Sequence, residues 1–98
     1  MVKKVTNEKG FTVYYINHQV QRALMNIGAF GNCCDNCNAV IKEVIWVPAL
    51  NWGMCKECYN DWLNRAKYYD EDCWYENTKI SWLEDILRKL GVPIIMND

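Results

Sequence analysis

Histidine is nearly absent from this 98-residue chain, with His18 as the only one. Any Ser-His-Asp or Cys-His mechanism would have to pass through it, and nothing around it suggests a nucleophile. His18 therefore reads as a helix-start residue with a satisfied hydrogen bond, and no enzymatic activity is expected. Also missing is a stretch of eighteen apolar residues, which excludes a helical membrane span, and no membrane partner is expected. The segment Met1 to Glu8 has no apolar run of the length a secretory signal needs, so a cytoplasmic protein with reduced thiols is expected. Neither sign of charge dominates: eleven Lys and Arg against twelve Asp and Glu leave a net charge of −1. Bulk electrostatics thus does not call for a polyanionic partner. No repeat, linker or low-complexity tract divides the chain, so residues 1–98 are expected to form one domain.

Aromatic and sulfur-bearing residues are plentiful. Five Trp, six Tyr and an apolar content near one half mark a globular chain rather than a disordered one. A core of this size lies near the lower edge of independent stability, so a staple would help. Six cysteines can mean disulfides or a metal site, and reduced thiols favour metal ligands.

Local patterns imply an α+β fold. Phe11 to Ile16 is β-branched and aromatic after Lys9-Gly10, which predicts a strand. Asn17 then caps a short helix with Val20, Ala23, Leu24 and Ile27 on one face and Gly28 as the stop. Ala39 to Val47 is strand-like up to Pro48, and Leu50 to Met54 returns as a second strand, making a hairpin. Tyr59, Trp62, Leu63 and Ala66 recur at helical spacing, predicting a helix from Cys55 or Lys56 that ends around residues 70 to 76. Ser81 with Glu84 is a capping-box signature ahead of Trp82, Ile86, Leu87 and Leu90, predicting a C-terminal helix from Ser81 to Gly91. Val92 to Met96 is expected to add a final strand beside residues 11 to 16. Trp62 and Trp82 are expected inside, with Trp52 or Trp74 exposed.

Two C-x2-C units carry the chemistry: Cys34-Asp35-Asn36-Cys37 and Cys55-Lys56-Glu57-Cys58, seventeen residues apart. Zinc takes four tetrahedral ligands, and each C-x2-C turn presents two thiolates while neighbouring N–H groups hydrogen-bond the sulfurs. The hairpin brings the second pair back beside the first, at a helix N-terminus whose dipole favours thiolate charge. Cys34, Cys37, Cys55 and Cys58 are thus expected to hold one structural Zn2+. Cys33 is an alternative to Cys34 through C-x3-C spacing, and Cys73 reads as a spare thiol.

This order of cysteine turn, hairpin and ligand-bearing helix resembles a treble-clef zinc finger with its core at about residues 33–69. The C-x2-C-x17-C-x2-C spacing, Asn36 before the second cysteine and Met54 before the third are similar to the GATA-type finger over roughly residues 33 to 66. That resemblance implies a zinc-built hairpin and helix and, in the family, DNA binding. The family's paired arginines after the hairpin tryptophan and its basic tail have no counterpart: Trp46 is followed by Val47 and Pro48, and the helix leads into Asp70-Glu71-Asp72.

Asp70, Glu71, Asp72 and Glu76 fall within seven residues, among Tyr68, Tyr69, Trp74 and Tyr75. A carboxylate pair such as Asp70 with Asp72 reads as a solvated face before it reads as acid–base machinery. The expectation is a non-enzymatic module whose Asp70, Glu71, Asp72, Trp74 and Glu76 contact a protein with a basic surface, in the manner of inhibitors that mimic DNA. The alternative is a nucleic-acid-binding finger, a small transcriptional regulator using Lys42, Lys56, Arg65 and Lys67 on phosphates.

Overall fold

The computed structural model describes residues 2–96. Val2–Thr6 (β1) and Thr12–Ile16 (β2) form an antiparallel hairpin. Its loop is tied by Asn7, whose Oδ1 accepts from the backbone N–H groups of Lys9 and Phe11 at 3.0 Å each, while Gly10 takes φ +94°. Asn17 caps α1 (His18–Asn26) as expected, its Oδ1 accepting from the Val20 N–H at 2.9 Å. Gly28, at φ +76°, follows the helix end. Val20 and Leu24 are buried, but Ile27 lies past the last turn and is 52% exposed. The third buried position is Gln21, whose Nε2 donates to the Ile41 carbonyl.

Only Val44–Val47 (β3) of the expected 39–47 strand joins the sheet, pairing with β2 and with Trp52–Met54 (β4) to complete the expected hairpin. The turn between them contains Pro48 and closes through Asn51 at φ +55°. Helix α2 runs Lys56–Arg65 and stops there, short of the acidic residues. Those residues instead open the next helix, as a 3-10 turn at Asp70–Asp72 leading into α3, Cys73–Lys89. The expected start at Ser81 is therefore corrected by two turns: Ser81 lies inside α3 and is exposed. The buried stripe is also shifted, since Leu83 and Leu87 are inaccessible while Trp82 and Leu90 are each 38% exposed.

The final strand, Ile94–Met96 (β5), pairs parallel with β1 and not with residues 11–16. Position beside β2 was already taken, by β1 on one side and β3 on the other. The sheet order is β4-β3-β2-β1-β5. Side chains alternate across it. Val2, Tyr14, Ile16, Val44 and Trp46 pack with α1 and α3, whereas Phe11, Val13, Ile45, Val47 and Met54 pack with Tyr59 of α2 and with Cys34. Trp46 is buried against Tyr14 and Phe30, and Trp82 covers this cluster from outside, its ring parallel to Phe30. Trp62, half-buried, meets Phe11 edge-on at 4.8 Å. The described residues thus form a small α+β domain of five strands and three α-helices in which α2, Cys34, Cys55 and Cys58 share one face of the sheet. Among the described residues no helix is long and apolar enough to cross a membrane.

Candidate metal centre and the acidic segment

The first cysteine pair sits on a tight turn that its own backbone closes. The Asn38 N–H donates to the Cys34 carbonyl and the Cys34 N–H to the Ala39 carbonyl, both at 2.8 Å. Asn38 supplies the left-handed residue, φ +65°, that such a turn needs, asparagine being one of the few side chains tolerated there. Asp35 fastens the turn to the hairpin: its N–H donates to the Gly53 carbonyl at 2.9 Å, and its Oδ2 accepts from the Gly53 N–H at 2.7 Å. The second pair occupies the start of α2. Cys55 is the N-cap, its Sγ accepting from the Cys58 N–H at 3.5 Å.

These two devices bring the sulfurs of Cys34, Cys37, Cys55 and Cys58 within 4.8 Å of one another, with Cys37 and Cys55 at 4.0 Å. A tetrahedron with metal–sulfur bonds of about 2.3 Å separates its sulfurs by about 3.8 Å, so the donor set fits one metal ion. Proton affinities within the cluster diverge. Burial pushes the Cys34 thiol up, but hydrogen bonds from the backbone at Cys37, Cys55 and Asn36 outweigh it and bring it down to about 7. For Cys58 a hydrogen bond from the Asn36 side chain favours the thiolate, yet Cys55, burial, Cys37 and Cys34 together push it up to about 12. One thiolate is welcome among four adjacent sulfurs and a second is not, unless a cation joins them. Comparison with protein-family models, with curated proteins and with solved structures returns no match to this chain.

The remaining cysteines stand apart. Cys33 is exposed, in an isolated bridge with Val40, and its Sγ meets Asn32 Oδ1 at 3.3 Å; next to Cys34 on extended backbone, it projects the other way. Cys73 is exposed at the start of α3, accepting from Asn77 Nδ2.

The acidic segment divides between surface and interior. Asp70, Glu71 and Asp72 are exposed on the 3-10 turn, and Trp74 beside them is 70% exposed. Glu76 does not belong to that surface. It is 4% exposed, and its carboxylate accepts from the Thr12 N–H at 3.1 Å and the Tyr68 hydroxyl at 3.0 Å, anchoring α3 to the sheet. Of the cations weighed for phosphate contact, Lys42 and Lys56 are exposed, Arg65 is held by Asp61 at 2.7 Å, and Lys67 lies over the Tyr69 ring. His18 is exposed, with Nδ1 3.3 Å from Gln21 Oε1.

Two groups escaped the sequence reading. Asp35, between two of the clustered cysteines, was given no role, and its bonds to Gly53 carry no signal in the sequence beyond its place inside the C-x2-C unit. Glu84, read as a capping residue, instead accepts from Lys4 Nζ at 2.7 Å and from the Tyr14 hydroxyl, a contact across the core that spacing along the chain does not reveal.

Proposed function

We propose that Cys34, Cys37, Cys55 and Cys58 hold one structural zinc ion in a non-enzymatic binding module whose acidic, aromatic segment docks on a basic protein surface. The observation that carries the zinc reading is the clustering of four thiols within 4.8 Å. Soft sulfur donors select zinc over hard cations, and four of them complete the coordination sphere, leaving no position for water or substrate. The bound ion supplies a cross-link between the Cys34–Cys37 turn and α2. The order of that turn, the β3–β4 hairpin and ligand-bearing α2 supports a treble-clef finger, with likeness to the GATA type in ligand spacing, Asn36 and Met54. A reducing, cytoplasmic setting suits it.

Support for the docking surface comes from Asp70, Glu71 and Asp72, which form no ion pair among the described residues, standing beside exposed Trp74. Tryptophan is enriched where interfaces are strongest, and the carboxylates speed encounter with a basic partner. The cation-lined nucleic-acid channel of another protein has that chemistry. A nucleic-acid-binding finger is less well supported, because Arg65 and Lys67, two of its four cations, are already engaged. Metal analysis of reduced, purified chain should find one zinc per molecule, lost in Cys37→Ser; no stoichiometric metal would end the zinc reading. Partner capture should fall when Asp70, Glu71 and Asp72 become Asn or Gln, and again with Trp74→Ala. Undiminished capture by both variants would remove the docking surface.

A further inference from the structure

The α2 side of the sheet is only partly covered. In register across all five strands, Ile95, Lys3, Tyr15, Ile45 and Met54 stand side by side on this face. A single helix about 10 Å across shields about two strands spaced about 4.8 Å apart. Met54 and Ile45 are accordingly buried near α2, while Tyr15 is 39% and Ile95 43% exposed. The gap is a cleft of about 500 Å³. That lies within the range of roughly 300–1,000 Å³ of small-molecule sites.

Three chemistries meet in it. Tyr15 and Ile45 offer a flat apolar floor, with the Tyr59 ring edge-on to Tyr15 at a centroid distance of 6.5 Å. Lys3 from β1 and Lys56 from the first turn of α2 bring two ammonium groups, neither in an ion pair among the described residues. Glu43, at the foot of β3, adds one carboxylate acceptor. We infer that this cleft binds a free mononucleotide, with the base on Tyr15, the phosphate between Lys3 and Lys56, and sugar hydroxyls donating to Glu43. An aromatic floor accepts the π-face of any base. Charge-assisted hydrogen bonds from two lysines match a single phosphate, while Glu43 would repel a longer polyanion. The site is separate from the acidic segment: Glu76 anchors that segment at Thr12, at the opposite end of β2, about 13 Å away. None of the four clustered cysteines lines it.

The test is titration of the isotopically labelled full chain with adenosine monophosphate, adenosine and inorganic phosphate, following backbone amide shifts. Adenosine monophosphate should shift the amides of Tyr15, Ile45 and Lys56 saturably, and adenosine or phosphate alone should bind about tenfold more weakly or worse. Lys3→Gln and Lys56→Gln should each weaken binding about tenfold, Tyr15→Leu should weaken it too, and Arg22→Gln, an exposed cation on α1, should leave it unchanged. The inference is overturned if the cleft amides do not respond, if adenosine or phosphate alone binds equally well, or if Arg22→Gln matches the lysine variants. Should the variants misfold, the three-ligand comparison on the unaltered chain decides.

Discussion

Gly53 has no room for a methyl group: a Cβ built there would stand 2.7 Å from Val44 Cγ1, inside the core. Its small size also lets Asp35 reach its backbone and lock the first cysteine pair against β4. Gly53→Ala is therefore expected to destabilise the protein by about 1–3 kcal/mol in chemical denaturation, with part of the loss recovered on adding Val44→Ala. A second residue-scale effect concerns Glu84. Burial raises its carboxyl, but hydrogen bonds from Lys4 and Tyr14 outweigh that and hold it below the usual carboxylate range. Tyr14 is pushed far above the ordinary phenol value by burial and then by Glu84. The depressed carboxyl stabilises the fold above its ordinary value of about 4.5, and that is lost as pH falls through its lowered folded value. The raised phenol stabilises below about 10, and that is lost as pH rises through its elevated one. The difference in urea midpoint between the unaltered chain and Glu84→Gln should thus be flat between about pH 5 and 10 and shrink on the acid side.

At the scale of elements, helix starts separate what the sequence makes legible from what it hides. Asn17 was readable because its cap is local: one side chain bonds an N–H three residues on. Asn17→Ala should destabilise by about 1 kcal/mol, measured as a lowered denaturation midpoint. Ser81 had the same local signature and is no cap, because Glu76 ties the preceding turns to Thr12 and so extends α3 back to Cys73. Ser81→Ala should accordingly be neutral or stabilise by up to about 0.5 kcal/mol, through helix propensity, where a true cap would be destabilised. β1 was invisible for a related reason. Val2-Lys3-Lys4-Val5-Thr6 has two apolar residues, and it becomes a strand because β2 and β5 enclose it. The cysteine cluster, by contrast, was legible except at one position: spacing left Cys33 as an alternative to Cys34, and the structure brings Cys34 to the cluster.

For the molecule as a whole, the sheet separates two apolar clusters, and only one of them touches the cysteines. Apparent binding free energies for structural zinc in small fingers are about 10–16 kcal/mol near neutral pH, a large quantity beside the stability of a domain this size. Removing the proposed zinc with a chelator should strip hydrogen-exchange protection from α2 and β4 first, while α1, α3 and β2 keep theirs longer. Equal and simultaneous loss everywhere would mean that the faces do not open separately. The parallel pairing of β1 with β5 has a mechanical corollary. Val2 lies beside Ile94 and Lys4 beside Met96, so handles attached before β1 and after β5 and drawn apart would pull these neighbours lengthwise past each other. Every bond of the pair would then bear load at once instead of unzipping in turn, leaving the cysteine cluster outside the line of tension.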